Sequence, residues 1–313
     1  MKKITFLISL IIILNLIHYK FFKKYDLENP KTIVVNPGMK LNGIAKILYD
    51  EEIIDSQINF ILWTKFYNEE KNLRSGEYFF HKELSVHSII KKIVSGETIL
   101  RKLTIIEGST KFDIVEKLKL LNLNLDFHTI QIPRFLVADT YAIDVTQNIE
   151  EIFKSILNSS LEVMENIWQQ RNITIPIKNS KELYILASIV EKETSIRSER
   201  RIVAGVFFNR LKKKMRLQSD PTVEYSITKG EKKLKRNLFR SDLKIPSDFN
   251  TYVNYGLPPG PISFPGIDSL KAVANPEKSN YYYFVADKSG NGHLFSKNYR
   301  EHRENIKKMK MVK

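Results

Sequence analysis

Residues 4–17, ITFLISLIIILNLI, carry no charge and almost no polarity. Such a run does not belong on the surface of a soluble domain. It either leaves the chain as a secretory leader or stays in a membrane. Fourteen residues rise only about 21 Å as a helix, which suits a leader. The sequence that follows, HYKFFKKYDLENP, has no small-x-small cleavage signal. Instead Tyr19, Phe21 and Phe22 read as interfacial aromatics, with Lys20, Lys23 and Lys24 as snorkelling cations. Counted from Ile4 to Phe22 the stretch reaches about 28 Å, close to the thickness of a bilayer core. We expect an uncleaved single-pass anchor over residues 1–25. Lys2 and Lys3 are opposed by the three later lysines, so charge counting leaves orientation open; the very short N-terminal tail favours translocation of the rest.

Beyond the anchor the chain reads as α+β. TIVVNPGMKLNGIAKILYD (32–50) and LTIIEGSTKFDIVEKLKLL (103–121) share a layout. In each, a β-branched run leads to a glycine, Gly38 or Gly108. Apolar residues then fall at helical spacing, at Ile44, Ala45 and Leu48 or at Ile114, Val115 and Leu118. RSGEYFF (74–80) predicts a strand closing the first unit, and VHSIIKKIVSGE (86–97) a short helix ending at Gly96. Small β-α-α-β modules of the LysM type, which bind glycan chains, look like this; plain structural scaffolding explains the pattern equally well. The expected modules cover residues 26–100 and 101–149. From 150 the texture changes to long amphipathic helices, and from 245 to loops and strands, so a mixed helical and β domain is expected over 150–313.

The segment LASIVEKET (186–194) closes one of those helices with two glutamates. Asn179 and Glu182 form a capping-box-like start, and the pattern predicts a helix to about Thr194. At about 100° per residue, Glu193 falls between Leu186 and Ile189 on the apolar face, while Glu191 lies on the edge of that face. Desolvation at such a position disfavours the carboxylate and raises its pKa. Two readings remain: a frayed helix end that leaves Glu193 in solvent, or a protonated glutamate kept ready to donate a proton.

Other chemistries find less support. There is no G-x-S-x-G, no H-E-x-x-H and no G-x-x-x-x-G-K. Cysteine is absent and the six histidines are scattered, so neither a metal nor a cofactor is expected. The net charge of +15 suits a membrane surface, a nucleic acid or an acidic polymer alike. KKK (212–214) and EKKLKR (231–236) lack interleaved aromatics and read as solvated basic faces, which argues against a nucleic-acid partner.

Residues 183–302 closely resemble the YceG-like endolytic murein transglycosylases (the MltG family). The motifs that carry the resemblance are ASIVEKET (187–194), FFNRL (207–211), MRLQSDPTVEYS (215–226), FNTYVNYGLPPGPISFPG (249–266), YYYFVADKSGNGHLFS (281–296) and EH (301–302). The resemblance implies a catalytic domain over 150–313 and an inner-membrane protein whose catalytic domain is periplasmic and acts on peptidoglycan glycan strands. Peptidoglycan synthases are further candidate partners. It matches the family's catalytic acid to Glu193 and gives Glu191 a supporting role. It also implies lytic chemistry, in which the muramic acid's own C6 hydroxyl attacks C1 and leaves a 1,6-anhydro end. One glutamate then suffices where ordinary glycosidases use two carboxylates.

Beside these motifs, Gln218, Asp220, Asn250, Thr251 and Tyr252 are candidate substrate-binding residues, with Asp220 equally explained as a turn-former before Pro221. The proline-rich run LPPGPISFPG reads as a rigid loop beside the cleft, and His293 either contacts substrate or is packed. One departure stands out: where the family carries E-G-x-x-x-P-D-T-Y, this chain has PRFLVADTY (133–141). The alternative to an enzyme is a non-catalytic, membrane-anchored glycan-binding scaffold of the wall-synthesis machinery.

Overall fold

The structure, a computed structural model, describes residues 19, 21–24, 26–81, 84–120, 130–287 and 292–311. Most of the expected anchor therefore lies outside the described residues. Among those described, no helix is long and apolar enough to cross a membrane. The chain divides into two compact units, one comprising residues up to 102 with 142–148, the other 103–141 with 149 onward.

The first unit runs β1 (Lys31–Val35), α1 (Leu41–Asp50), α2 (Gln57–Phe66), β2 (Gly76–Phe80) and α3 (Val86–Ser95). The strand and helix expected within 32–50, the strand at 74–80 and the helix ending at Gly96 are present, and α2 lies between the first helix and β2. β1 and β2 pair antiparallel, Lys31 opposite Phe80 and Val35 opposite Gly76. Gly38 makes its turn at φ +77°, a conformation that a β-carbon would strain. Ser56 caps α2 by accepting from the Asn59 N–H, and a Ser85–Ser88 capping box opens α3, which stops at left-handed Gly96. Ile33, Ile44, Leu48, Phe60, Tyr78 and Ile89 fill the core between them.

Phe21 belongs to that core. It is fully buried and stacks on Trp63 at 4.1 Å between ring centroids. It is therefore packed in protein and is not an interfacial aromatic. The sequence pattern of an apolar run followed by aromatics does not tell a bilayer from a small protein core.

The second unit holds β3 (Arg101–Thr104) from Leu103 on, α4 (Lys111–Lys119), β4 (Thr140–Ile143) up to Tyr141, α5 (Ile149–Gln169), α6 (Ser180–Glu193), α7 (Arg200–Lys212), α8 (Asp220–Thr228), α9 (Ile267–Ala274), β5 (Tyr283–Ala286), β6 (His293–Ser296) and α10 (Tyr299–Met311). α6 is its axis: every residue from Leu183 to Glu191 is buried, packed by Met164 of α5, Val203 and Phe207 of α7, and Leu270 and Val273 of α9. Asn179 caps this helix, accepting from the Glu182 N–H at 2.9 Å.

The repeat at 103–121 keeps its strand, its turn at Gly108 (φ +73°) and its helix. It does not stand as a separate module ending at 149. The Gly108 N–H donates to the Phe264 carbonyl, the Phe264 N–H to Ser109, and the Phe112 N–H to Gly230. These backbone bonds stitch residues 103–141 into the same unit as the long helices.

The proline-rich run is part of that stitching. The Ile262 N–H donates to Ser188 Oγ at 3.1 Å, and Ser263 Oγ donates to the Ser188 carbonyl at 3.0 Å. The Gly266 N–H reaches Glu191 Oε2 at 3.0 Å. The run is a strap along α6. Segment 133–141 is fastened to the same strap, through the Ala138 N–H to the Pro265 carbonyl, and by Tyr184, whose hydroxyl donates to the Leu136 carbonyl.

Candidate active site

Glu193 occupies the last position of α6, two residues past the part of the helix that is buried all round. At about 100° per residue it points some 200° away from Glu191, so the two glutamates serve opposite sides. Glu191 faces the strap. Its Oε1 accepts from Arg200 Nη2 at 2.7 Å, both side chains being almost wholly buried, and the same Nη2 reaches Glu107 Oε2 at 3.0 Å. Glu193 instead opens into a cleft of about 470 Å³.

The floor of this cleft comes from α6 and the turn before α8. Its far wall is the β5–β6 hairpin together with Tyr299 and His302 of α10. Glu193 keeps part of its surface open on the cleft side, yet protein surrounds it closely. Burial pushes its carboxyl up from 4.5 to about 7. The Ser219 hydroxyl, donating to Oε1 at 2.5 Å, pulls the other way; the Asp220 carboxylate adds to the rise, and the Arg210 guanidinium opposes it.

Arg210 is a buried residue in the last turn of α7. Its Nε donates to the Tyr282 carbonyl at 2.7 Å and its Nη1 to the Leu217 carbonyl at 2.7 Å, so it splints the hairpin to the turn. Its charge has no carboxylate bonded to it among the described residues and stays within electrostatic reach of Glu193. Burial lowers its pKa, while the guanidinium remains a cation at physiological pH.

Of the residues expected from sequence, Glu193, Gln218, Asp220 and Tyr252 all line the cleft. Gln218 sits at φ +52°, a left-handed conformation rare outside glycine, held by its N–H to the Thr251 carbonyl. The Tyr252 hydroxyl donates to Asp220 Oδ1 at 2.6 Å, and burial with this bond pushes the phenol well above its usual range.

Asn250 and Thr251 do not reach the cleft. Both are buried, at 0% and 1% exposure. The Asn250 amide donates to the Leu243 and Ile245 carbonyls, and its Oδ1 accepts from the Tyr252 N–H. Thr251 Oγ1 accepts from the Ser219 N–H at 3.0 Å and bonds the Thr222 hydroxyl. Their polar groups are consumed inside the protein: Asn250 shapes the loop that carries Tyr252, and Thr251 ties that loop to the turn at Gln218 and Ser219. Glu191 likewise holds α6 and touches nothing in the cleft.

His293 is on the cleft wall and is fixed there by Glu199, which takes its N–H at 2.7 Å and its Nδ1 at 2.6 Å. Gly292, at φ +119°, leaves no room for a side chain: a β-carbon would fall 2.1 Å from Glu199 Oε1. Ser219, Arg210 and Glu199 escape a reading by residue pattern because a serine in a turn, an arginine on a helix and a glutamate at a helix start are each ordinary. Only the motifs containing Arg210 and Ser219 single out those positions.

The model of the YceG-like family matches residues 33–308 of this chain. The chain is similar to the endolytic murein transglycosylase of Bacillus subtilis (strain 168), 30% identical over 316 aligned positions that cover 88% of this chain and 84% of that protein. It is also similar to the endolytic murein transglycosylase of Streptococcus pneumoniae (strain ATCC BAA-255 / R6), at 26% identity over 88% of this chain and 57% of that longer protein. Among solved structures, a YceG-like protein of Listeria monocytogenes superposes with a TM-score of 0.57 at 28% identity, over 89% of this chain and 99% of that one.

Proposed function

Because the chain belongs to the YceG-like family, which spans residues 33–308, we propose that it is an endolytic lytic transglycosylase of peptidoglycan. It cuts MurNAc–GlcNAc bonds within nascent glycan strands and so terminates their elongation. The observation that carries this reading is Glu193: a carboxyl at the floor of an open cleft, raised to about 7 and still protonated in part at neutral pH.

Glu193 is the catalytic acid. It protonates the glycosidic oxygen as the bond to C1 breaks, and the GlcNAc hydroxyl leaves. The muramic acid C6 hydroxyl attacks C1 from the same sugar, so proximity stands in for an activated water. The Glu193 carboxylate takes the C6 proton, which returns the enzyme to its starting state and leaves a 1,6-anhydro end. Ser219 and Arg210, the two groups that favour the ionised form, support the carboxylate in the interval between the two proton transfers. Gln218, Asp220 and Tyr252 bind sugar hydroxyls and N-acetyl groups along the cleft, and Glu191 is a positioning residue. The first unit is a LysM-like glycan-holding module. Residues 4–19 anchor the protein in the cytoplasmic membrane, with both units on the side where peptidoglycan lies.

The test uses the full chain in detergent with purified peptidoglycan. Mass spectrometry should find internal fragments ending in 1,6-anhydro-muramic acid. Reducing ends instead would mean hydrolysis, and binding without any cleavage would leave only a scaffold.

Ser219 supplies a finer test. Its hydroxyl lowers the Glu193 pKa, so Ser219→Ala should raise it further. A hydrogen bond to a charged group is worth about 1.5–3 kcal/mol, which moves the alkaline limb of the pH–activity profile up by roughly one to two units. Activity at pH 5 should change little. An unmoved limb would remove Ser219 from the proton-transfer machinery.

A further inference from the structure

Helix α2 presents an apolar face to solvent. Ile58, Leu62 and Phe66, spaced i, i+4 and i+8, are 70%, 61% and 72% exposed, while Phe60, Trp63 and Thr64 on the other side are buried. At about 100° per residue the three exposed side chains fall within about 80° of one another. Tyr67 extends the patch through its ring contact with Phe66 at 5.4 Å, and Phe66 also meets Trp63 at 5.4 Å, so the exposed face adjoins the ring stack that holds Phe21. Contiguous exposed apolar surface of this kind marks a contact face.

The chain's own N-terminal run says what covers it. Phe21, two residues past exposed Tyr19, is stacked on Trp63 of α2, and the Lys23 N–H donates to the Tyr19 carbonyl in a helical turn. The uncharged run at 4–17 therefore ends four residues before a residue fastened to α2. Residues 4–19 span about 24 Å against a bilayer core of about 30 Å. A short span draws its flanks to the interface instead of standing away from it. Exposed Lys23, Lys24 and Lys65 beside the aromatics suit anionic headgroups.

We infer that α2 lies on the membrane, its Ile58–Leu62–Phe66 face sunk at the boundary of headgroups and acyl chains, so that the first unit is seated on the bilayer instead of swinging from a tether. The inference rests on the anchor reading given under Proposed function.

The chain has no cysteine, so single-cysteine variants need no background changes. Full chain carrying Leu62→Cys, Leu10→Cys or Ile173→Cys is labelled with an environment-sensitive fluorophore. It is then placed in vesicles of phosphatidylcholine and phosphatidylglycerol that contain acyl-chain nitroxide lipid. Ile173, 84% exposed in the second unit, is the solvent control. The expected result is several-fold quenching at positions 62 and 10 with none at 173, and the same at Ile58→Cys and Phe66→Cys. Quenching at 10 with position 62 behaving like 173 overturns the seated helix and leaves the anchor intact. Blue-shifted but unquenched emission at 62 overturns it too, since protein would then cover the face. No quenching at position 10 sinks the anchor reading and this inference with it.

Discussion

Glu193→Gln is expected to abolish formation of 1,6-anhydro ends, with a loss of at least about 10²- to 10⁴-fold in turnover, the range in which a positioned acid contributes. The amide keeps the shape and can still accept from Ser219, so the cleft should survive and glycan binding should stay within a few-fold. The wild-type profile should fall as pH rises through about 7, because the acid is needed in its protonated form. Stability should respond in the same direction. The folded-state pKa is raised, so the proton bound to Glu193 favours the fold at low pH. That contribution is lost between about 4.5 and 7 as the desolvated carboxyl is forced to ionise. The rise corresponds to about 3 kcal/mol at most. Glu193→Gln has no proton to lose there, so it should match wild type in urea at pH 4 and exceed it at pH 8. A variant that still yields anhydro ends, or one less stable than wild type at both pH values, would remove Glu193 from the role assigned to it.

The geometry of α6 explains why that residue was legible in sequence while others were not. A helix has a fixed period, so a glutamate set among Leu186 and Ile189 announces itself without coordinates. The same arithmetic placed Glu191 on a different side, and the structure gives the reason in Arg200 and the Gly266 N–H. Turns carry no such period. From sequence, Asn250, Thr251 and Tyr252 look equally able to bind sugar, but only Tyr252 faces the cleft, because Asn250 and Thr251 spend their polar groups on the backbone of the turn. The proline-rich run was legible as rigid, but rigidity says nothing about which neighbour a segment straps, here α6. Membership of a compact unit is likewise decided by long-range contacts. The strand–turn–helix at 103–121 is locally the same as the one at 32–50, and only long-range bonds to Phe264 and Gly230 put it in the larger unit.

One charged brace, Glu191 with Arg200, ties α6 to the strap at Gly266 and to Glu107, and breaking it should produce the largest loss of stability. Glu191 and Arg200 are both almost wholly buried, and Arg200 Nε and Nη1 have no acceptor among the described residues. Glu191→Ala would leave the guanidinium facing only Glu107, whose side chain is 42% exposed. It would also orphan the Gly266 N–H. Removing one partner of a buried pair costs about 3–5 kcal/mol, because the other charge stays desolvated. The brace is not thereby a strong net stabiliser, since taking two charges out of water offsets much of their attraction. Glu191→Leu combined with Arg200→Met should therefore recover much of the loss, and the double-mutant cycle should show a large coupling. The chain has two tryptophans, Trp63 in the first unit and Trp168 in the second, so a Trp63→Phe background makes fluorescence report the second unit alone. Single variants there should unfold at markedly lower urea, with the cleavage chemistry at Glu193 retained in the fraction that stays folded. A Glu191→Ala midpoint within about 1 kcal/mol of wild type, a cost ordinary for a surface site, would mean that the strap holds α6 without the brace. A normal midpoint with lost activity would instead move Glu191 from the scaffold into the chemistry.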